Sequence, residues 1–528
     1  MNNNLYTQAL WAITILSGVG CGQSGSGAAA HNDAAGGSPD SGGTTDNGGA
    51  SAVGGESGMG GSFAVAGSSS VGGAPATGVT APTGGTLNNA GGGAANGSSG
   101  GTTTSSFSSS SMSSGGASST TDAGTTTSLV CGGGSAQAGD VVVTLSSRKQ
   151  RIAGFGASTA WGSTMSSNDA DLLWSTSKGA GLSLHRVRID YKNGHTGEVQ
   201  IAQQAVARGV TVWATPWTPP VADKSNNSSV AGTLTDGQAF ATFLAGFVTY
   251  MKGQGVDIYA VSAQNEPDAN VTYESCSYTG ATIAAFVGTY MGPTLAPMGV
   301  KVMAPETQNW CSFANYLNPI LNDANANKYT DIIATHEYGC TSSIKAYPQI
   351  AQAGKEFWET EIYDSNGTED AGMGSALRVA KLIHDALTIA NMNAWHYWCV
   401  YPSSADNGAL WDKATGQPSK RLWIMGNFSR FVRPGYQRVD ITGTAPTGVL
   451  LSAYSNPADA SVAVVAINNN TSAQSLSVFV SGMAACAVTP WVTSSNDALA
   501  AKTSVSVTDS RFSYSLDPQS VTTFVATP

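Results

Sequence analysis

Two glutamates in the sequence stand in local contexts that suit acid–base chemistry. Glu266 lies in the segment Gln-Asn-Glu-Pro, and Glu361 lies in the segment Trp-Glu-Thr-Glu-Ile-Tyr. Two carboxyl groups can cleave a glycosidic bond when one is protonated and donates to the leaving oxygen, while the other is ionised and attacks the anomeric carbon or activates water. Alone, Glu266 could equally cap a helix that begins at Pro267. The interpretation therefore depends on whether the fold brings the two glutamates together.

The elements that would position these glutamates form a repeating pattern between residues 152 and 401. The apolar runs begin near Ile152, Leu182, Thr211, Ile258, Lys301, Ile332, Glu356 and Asn393, and helical patterns between them cover residues 198–208, 237–251, 281–290 and 371–390. Eight near-continuous apolar strands alternating with helices predict an α/β fold, a (β/α)8 TIM barrel over residues 151–431. A doubly wound open sheet is the alternative, although no Gly-x-Gly-x-x-Gly follows any strand.

The sequence pattern changes after Phe431. Short β-rich runs at residues 449–454, 461–467, 476–480 and 521–525 are separated by turn residues, and no long helical pattern occurs among them. This pattern predicts a C-terminal β-sandwich over residues 432–528. A further strand at residues 141–150 has no helix of its own, so we expect it to join this side domain.

The predicted barrel places both glutamates at its functional end, because active groups in such barrels lie at the C-terminal ends of strands. Glu266 follows the fourth strand and Glu361 the seventh, and these strands face each other across the barrel. Glu359 points to the same face as Glu361, since side chains alternate along a strand. Glu361 is nearer the strand end, so we expect Glu359 to lie deeper or to pair with a base.

Other strand ends carry side chains that suit the binding of a sugar. The candidate substrate-binding residues are Trp161, Arg188, Trp217, Asn265, His336, Tyr338, Tyr363 and Trp398. Tryptophans offer flat apolar platforms for sugar rings, and Trp161, Trp217, Trp310 and Trp398 all lie near strand ends. A single tryptophan is more often part of a core, but with four we expect at least one to form a platform. Asn265 could hydrogen-bond a sugar hydroxyl, and Tyr338 and Tyr363 could orient the ionised carboxylate.

Two of these candidates have competing interpretations. His336 has no partner at a spacing that suits metal ligation, so we expect a hydrogen-bonding role and no bound metal. Arg188 is expected to act more as an ion-pair partner at the floor of the cleft than as a substrate ligand. No motif in the sequence implies a cofactor.

Charge and composition exclude some classes of function. The chain has 528 residues and a net charge of −10, and its first 147 residues contain six acidic residues but no Lys or Arg. The remainder therefore carries a charge of −4. Such a balance argues against a nucleic-acid-binding protein and against attraction of the whole chain to an anionic membrane surface.

The N-terminal quarter has the composition of a leader and a linker. Residues 22–130 hold 29 of the 64 glycines, which predicts a disordered Gly/Ser/Thr-rich tether over residues 22–131. Residues 9–20 are apolar, too short to span a bilayer, and of the length of a signal-peptide core. Cys21 follows them, so segment 1–21 predicts export and, less firmly because no Lys or Arg precedes the run, a lipid anchor at Cys21. A misassigned start codon upstream of an ordinary signal is the alternative.

Six cysteines follow Cys21, and an even number in an exported chain permits disulfide bonds. Six cysteines allow 15 complete pairings, between which the sequence cannot choose. Buried thiols remain the alternative. No Cys-x-x-Cys occurs, which argues against a structural zinc site.

Seven segments, taken in order, resemble glycoside hydrolase family 30, a member of the large clan of retaining (β/α)8 glycosidases. The segments are Gln-Arg-Ile-Ala-Gly-Phe-Gly-Ala (150–157), Leu-His-Arg-Val-Arg-Ile-Asp (184–190), Ala-Thr-Pro-Trp-Thr-Pro-Pro (214–220), Val-Ser-Ala-Gln-Asn-Glu-Pro-Asp (261–268), Val-Met-Ala-Pro-Glu-Thr (302–307), Trp-Glu-Thr-Glu-Ile-Tyr (358–363) and Arg-Phe-Val-Arg-Pro-Gly-Tyr (430–436). The resemblance covers roughly residues 140–528. It implies a barrel with an attached β-sandwich and retention of anomeric configuration. It also implies that Glu266 is the acid/base and that Glu361, rather than Glu359, is the nucleophile.

The sequence is most similar to the xylan-cleaving branch of that family, which implies a xylan-like polysaccharide as substrate. Separately, we expect the protein to be a monomer. Members that read glucuronate carry basic residues just after the eighth strand, whereas residues 398–412 here contain no Lys or Arg, and Lys413 is the first. We therefore expect an endo-β-1,4-xylanase without strict dependence on glucuronate. The alternatives are another β-glycosidase of the family (a glucosidase, galactanase, fucosidase or exo-xylosidase) and a non-catalytic polysaccharide-binding surface protein.

Overall fold

The computed structural model describes residues 131–527. The predicted signal segment 1–21 and residues 22–130 of the predicted tether lie outside these described residues. The first strand of the described chain, β1, spans Val141–Arg151 and leads into a barrel that is followed by an all-β side domain.

Eight parallel strands close into a barrel. They are β2 (Gly154–Ser158), β3 (Leu184–Ile189), β4 (Thr211–Pro216), β5 (Ile258–Ser262), β6 (Lys301–Asn309), β7 (Thr330–Tyr338), β8 (Glu356–Glu359) and β9 (Ala394–Cys399). Each strand pairs with the next, and β9 pairs in parallel with β2 to complete the ring. The predicted (β/α)8 barrel is confirmed, and the open-sheet alternative is excluded.

Ten α-helices are found in the described chain, all before the side domain. They are α1 (Ser167–Trp174), α2 (Val199–Val206), α3 (Gly237–Gly253), α4 (Gly280–Phe286), α5 (Gly292–Leu295), α6 (Phe313–Asn322), α7 (Ala324–Tyr329), α8 (Pro348–Gln352), α9 (Met373–Thr388) and α10 (Lys420–Ser429). The helix expected at residues 281–290 is divided, because α4 gives way to a π-helical turn at Val287–Met291. Within residues 131–527, no helix combines the length and the apolar character needed to cross a membrane.

The longest helices form where capping and apolar spacing agree. At the start of α3, the side chain of Asp236 accepts a hydrogen bond from the backbone N–H of Ala239, which satisfies one of the free donors of the first turn. Phe240, Leu244 and Phe247 then recur at helical spacing and are fully buried against the barrel. This burial anchors α3 to the outer face of the strands.

The interior of the barrel is filled below the strand ends. Its apolar cluster comprises Leu184, Trp213, Ala260, Met303, Ile332, Ala334, Trp358 and Ala394. The rings of Trp213 and Trp358 meet edge to face with centroids 6.3 Å apart. The indole N–H of Trp213 donates to Nε2 of His396 over 3.0 Å, so this layer also satisfies its buried polar atoms. It forms a rigid floor for the side chains at the strand ends.

The side domain is one sheet of ten strands that encloses its own core. Besides β1, its strands are β10 (Gln437–Thr442), β11 (Val449–Ser455), β12 (Val462–Asn468), β13 (Gln474–Ser481), β14 (Ala487–Thr493), β15 (Ala500–Ala501), β16 (Val505–Ser506), β17 (Arg511–Leu516) and β18 (Ser520–Ala526). Strand β1 lies between β10, with which it is antiparallel, and β13, with which it is parallel. The predicted C-terminal β domain is confirmed.

Hydrogen bonds join the side domain to the last barrel helix, and two disulfides cross-link the described chain. In α10, the Asn427 side chain donates to the Trp491 carbonyl (3.0 Å) and the Thr523 hydroxyl (3.1 Å), which joins the last barrel helix to β14 and β18. Cys131 is bonded to Cys486, and a second disulfide, Cys311–Cys340, links the loops after β6 and β7. Cys276 and Cys399 are buried.

Candidate active site

Glu266 and Glu361 meet at the C-terminal end of the barrel. Glu266 follows β5 and Glu361 follows β8, and their residues are only 4% and 6% exposed. One oxygen of Glu266, one oxygen of Glu361 and one ring nitrogen of His336 all lie within 4.8 Å of one another. The two carboxyl groups can therefore act on the same bond of a bound molecule.

Glu361 is surrounded by groups that favour its ionised form. Nη1 of Arg186 donates to Oε2 of Glu361, and the hydroxyl of Tyr338 donates to Oε1 over 3.1 Å. Burial raises the pKa of Glu361 above its ordinary value, and the positive charges of His336 and Arg186 oppose that rise. Glu361 thus has the fixed position and the hydrogen-bond donors that a nucleophilic carboxylate needs.

Glu266 has a different environment. Its backbone adopts a left-handed conformation with φ +50°, and its N–H donates to the carbonyl oxygen of Glu306 over 3.0 Å. The hydroxyl of Tyr273 donates to Oε2, and Nδ1 of His336 lies 3.2 Å from Oε1. Non-glycine residues in this region of φ are uncommon and cluster at functional sites. The strained turn presents the carboxyl group to the space in front of Glu361.

His336 lies between three carboxylates. Its Nδ1 approaches Glu266 (3.2 Å) and Glu361 (3.8 Å), and its Nε2 lies 3.6 Å from Oε1 of Glu306. Burial alone would lower the pKa of His336, but the three carboxylates raise it to about 10. His336 is therefore an imidazolium at neutral pH, and it contributes a second positive charge to the site.

Arg186 and Glu306 form the floor beneath the two glutamates, and both are completely buried. Nη2 of Arg186 donates to Glu306 (2.9 Å) and to Oδ1 of Asn265 (2.6 Å), while the hydroxyl of Thr215 donates to the other oxygen of Glu306 (2.7 Å). Burial acts to raise the pKa of Glu306, but Arg186 and His336 hold it below its ordinary value. The site thus contains a third ionised carboxylate. The candidate residue Asn265 lies beside Glu266 as an acceptor for Arg186.

Three of the candidate tryptophans form one aromatic cluster. The ring centroids of Trp161 and Trp217 are 5.0 Å apart, and Trp398 lies 6.4 Å from the first and 6.1 Å from the second. Trp217 is buried, whereas Trp161 and Trp398 are partly exposed. Trp310 lies elsewhere, buried against Phe313. The cluster Trp161, Trp217 and Trp398 is therefore the aromatic surface available to a ligand.

Arg188 and Tyr363 lie at the margin of the site. Nε and Nη2 of Arg188 donate to the carboxylate of Glu274 over 3.0 and 2.7 Å, and its guanidinium group lies 5.1 Å from the ring centre of Trp161. The ring of Tyr363 packs against that of Tyr338 with centroids 5.6 Å apart. Arg188 thus forms an ion pair with Glu274 of the same chain.

Glu359, the neighbour of Glu361, lies below the site and is completely buried. Its Oε2 accepts a hydrogen bond from the backbone N–H of His396 over 2.7 Å. Burial and the nearby carboxyl group of Glu337 raise the pKa of Glu359 well above its ordinary value. Glu359 therefore has a different environment from Glu361, whose carboxylate accepts from Arg186 and Tyr338.

Sequence reasoning missed the roles of four residues in this site. Tyr273 and Glu274 lie in the loop after β5, which has no periodic pattern to draw attention to them. Arg186 and Glu306 were visible as charges at strand ends, but their roles were not assigned. A charge within an otherwise apolar strand is the one available signal, because such a charge needs a buried partner.

Comparisons with known proteins agree with this architecture. Residues 180–403 match the glycosyl hydrolase family 30 TIM-barrel domain, and residues 435–524 match the family 30 beta sandwich domain. The chain is 35% identical to glucuronoxylanase XynC of Bacillus subtilis strain 168 over 402 residues. The aligned region covers 74% of this chain and 92% of that protein.

Solved structures of similar proteins show the same fold. The glycoside hydrolase family 30 subfamily 8 xylanase Xyn30A from Clostridium acetobutylicum superposes with a TM-score of 0.67 at 36% identity, over 74% of this chain and 100% of that one. A GH30 endoxylanase from Clostridium papyrosolvens C71 gives a TM-score of 0.64 at 36% identity with the same coverage. Similarity of this extent, over both domains, establishes that the chain belongs to glycosyl hydrolase family 30 and is a glycosidase.

Proposed function

We propose that the chain is a retaining endo-β-1,4-xylanase that acts on xylan without a strict requirement for glucuronate. The observation that carries the proposal is the approach of Glu266 to Glu361, with one oxygen of each within 4.8 Å. Retaining glycosidases hold their carboxyl groups about 5–5.5 Å apart, whereas inverting enzymes leave about 6.5–9.5 Å for a water molecule. The similarity to xylanases supports the choice of polymer.

In the first step, the Glu361 carboxylate attacks the anomeric carbon while Glu266 gives its proton to the leaving oxygen. Arg186 and Tyr338 hold the attacking carboxylate in place. The bond between the anomeric carbon and the leaving oxygen breaks, and a covalent ester to Glu361 forms. The fixed hydrogen-bond donors and the positive charge near Glu361 stabilise its carboxylate before the attack, and again when that carboxylate departs as the leaving group of the second step.

In the second step, Glu266 acts as a base. Having lost its proton, it removes a proton from a water molecule that attacks the same anomeric carbon from the face opposite Glu361. The ester bond breaks, the carboxylate of Glu361 is regenerated, and Glu266 is protonated again. Two inversions at one carbon give retention of configuration.

The independence from glucuronate rests on the loop after β9. Its first cation, Lys413, uses Nζ to donate to the carbonyl oxygen of Ser403 over 2.8 Å. The same loop carries Asp406, whose Oδ1 accepts from the N–H of Gly408 (2.8 Å) and whose Oδ2 accepts from the hydroxyl of Ser404 (2.6 Å). A carboxylate in this loop repels an anionic sugar substituent rather than binding it.

Hydrolysis of two xylans side by side tests the proposal. We expect kcat/KM on unsubstituted linear xylan to be within about tenfold of that on glucuronate-decorated xylan, a difference of no more than about 1.4 kcal/mol. Internal cleavage should produce oligosaccharides of mixed length, and NMR should show the β-anomer first. A fall of several orders of magnitude on the linear polymer would contradict glucuronate independence, and release of single terminal sugars would contradict endo action.

Matched variants test the assignment of the two carboxyl groups. Glu361→Gln and Glu266→Gln should each abolish measurable turnover of xylan in a folded protein. Glu359→Gln is the control, because it makes the same change to a buried carboxyl group in the same segment, whose side chain accepts from the backbone N–H of His396. Near-normal turnover by either of the first two variants would refute the mechanism.

We further propose that the chain is exported, anchored through lipid at Cys21 and monomeric. The apolar run at residues 9–20 and the two disulfides of the described chain support an oxidising compartment. Expression in a bacterial host should give a detergent-phase protein, and Cys21→Ser should move it to the aqueous phase. Light scattering of the purified protein should give the mass of one chain.

A further inference from the structure

Glu306 is a third buried carboxylate that contacts both halves of the candidate catalytic machinery. Through its side chain it accepts from Arg186, the residue that also donates to Glu361. Through its backbone carbonyl it accepts the N–H of Glu266. Its own backbone is left-handed, with φ +60°, as is that of Glu266. The residue therefore links the two catalytic carboxyl groups without lying between them.

The charges in this buried cluster are nearly balanced. Arg186 and His336 are positive, and Glu306 and Glu361 are negative. If Glu266 carries its proton, the cluster is neutral, and if Glu266 loses its proton, the cluster has one excess negative charge. The negative charge of Glu306 opposes further negative charge among its close neighbours, so removing it should alter how the cluster responds to pH.

We propose that Glu306 is a positioning residue that holds Arg186 against Glu361, and that its negative charge sets the pH range over which the two catalytic carboxyl groups work. This inference rests on the proposed function, because it takes Glu266 as the acid and Glu361 as the nucleophile. It assigns Glu306 no contact with substrate.

The charged and titratable groups around Glu306 lie on or directly after five of the eight barrel strands. Arg186 lies on β3, Glu266 after β5, His336 and Tyr338 on β7, Glu361 after β8 and His396 on β9. Burial lowers the pKa of His396 to about 3, so it is neutral. With Glu266 protonated, His336 keeps the Glu361 carboxylate as a charged neighbour when the Glu306 charge is removed, at 3.8 Å from Nδ1. The charge on Glu306 is thus the one that a substitution there changes.

The sign of the expected effect follows from this balance. Glu306→Gln removes one negative charge while keeping the shape of the side chain. With Glu266 protonated, the cluster then has one excess positive charge, so both Glu266 and Glu361 lose protons more readily. Both limbs of the profile of kcat/KM against pH should therefore move to lower pH, by about one unit. Activity at alkaline pH falls most, because there Glu266 no longer carries the proton.

The experiment measures kcat/KM on linear xylan from pH 4 to about 9 for the full chain and for three variants of it. Circular dichroism and thermal melting first establish that each variant is folded. Glu306→Gln should show both limbs displaced to lower pH. Glu306→Asp keeps the charge and shortens the reach, so it should lose kcat with unmoved limbs. Glu359→Gln is the matched control, because it makes the same change to another completely buried glutamate, and its limbs should stay in place.

Each outcome decides the question. A folded Glu306→Gln protein with the limbs of the parent overturns the inference, and so does displacement in Glu359→Gln to the same extent. If Glu306→Gln does not fold, unmoved limbs in Glu306→Asp support the charge argument and displaced limbs overturn it. Failure of the proposed function is distinct, since in that case Glu361→Gln and Glu266→Gln retain activity.

Discussion

Tyr273 donates a hydrogen bond from its hydroxyl group to Oε2 of Glu266. Burial, followed by the charge of Glu266, raises the pKa of Tyr273, so the phenol remains a donor at neutral pH. The loop that carries Tyr273 is fastened two residues later, where the carbonyl of Ser275 accepts from Nζ of Lys224 over 2.5 Å and its N–H donates to Ser229 over 2.9 Å. A fixed loop therefore aims the acid/base.

Removing this hydroxyl should impair acid catalysis selectively. We expect Tyr273→Phe to lower kcat/KM on xylan about tenfold, part of the 10²–10⁴-fold that general acid catalysis contributes. An aryl xylobioside with an acidic phenol as leaving group needs little protonation, so its kcat/KM should change less than about twofold. The measurement is the ratio of kcat/KM on xylan to kcat/KM on the aryl xylobioside, compared between the variant and the parent. The control is Tyr316→Phe on α6, which loses a hydroxyl that donates to the backbone carbonyl of Tyr278. An equal loss on both substrates in Tyr273→Phe would show a general structural effect instead.

Azide should distinguish the two catalytic glutamates by stereochemistry. In Glu361→Gly, azide can enter the vacated space and attack the anomeric carbon directly, so the glycosyl azide should be inverted. In Glu266→Ala, azide should attack the covalent intermediate and give a retained product. Both variants should hydrolyse an aryl xylobioside at least about a hundredfold more slowly without azide. Product NMR settles the assignment, and the opposite pairing of configurations would exchange the two roles.

The Arg188–Glu274 pair should contribute to stability rather than to substrate affinity. Both side chains are partly buried, and the contact is bidentate, so it lies between a surface pair and a fully buried one. We expect Arg188→Gln to lower the free energy of unfolding by about 2 kcal/mol, with KM for xylan within about twofold of the parent. Denaturant unfolding and steady-state kinetics are the measurements. In the double variant, adding Glu274→Gln to Arg188→Gln should lower the free energy of unfolding by less than Glu274→Gln does alone. A large rise in KM with unchanged stability would make Arg188 a substrate ligand.

Asp140 should make the stability of the side domain depend on pH in the acidic range. Hydrogen bonds from Arg511 hold the pKa of Asp140 below its ordinary value, although burial opposes them. A carboxylate with a lowered folded-state pKa stabilises the fold above its unfolded pKa, near 4, and loses that contribution as pH falls towards the folded value. Asp140→Asn should therefore cost about 2 kcal/mol at pH 5–8, with the difference shrinking below about pH 4. Thermal melting of both proteins across this range is the measurement, and a pH-independent difference would exclude the linkage.

The barrel could be predicted from the sequence because its strands are buried on both faces and read as continuous apolar runs. The start of β4 at Thr211 and of β8 at Glu356 fall where those runs begin. The side domain was harder, because strands such as β15 and β16 have two residues each and leave no periodic signal. Its fold class was evident, but most of its strand order depends on long-range pairing.

The candidate site divides in the same way. Glu266 and Glu361 could be found from their position at strand ends, which topology alone brings together. Trp310 also follows a strand, yet it packs on Phe313 of α6, and the i, i+3 spacing of these aromatics was the missed signal. The part played by Tyr273 depends on a loop conformation, and loop conformation is set by contacts far away in the sequence.

The placement of β1 has a consequence for how this protein is made. Val142 pairs with Thr442, some 300 residues later in the chain, so the barrel is synthesised in between. At typical ribosomal speeds of about 5–20 residues per second, β1 emerges roughly 15–60 seconds before its neighbours exist. During that interval its backbone donors and acceptors are open to wrong partners, and chaperones that shield extended segments would raise the yield of correctly assembled molecules.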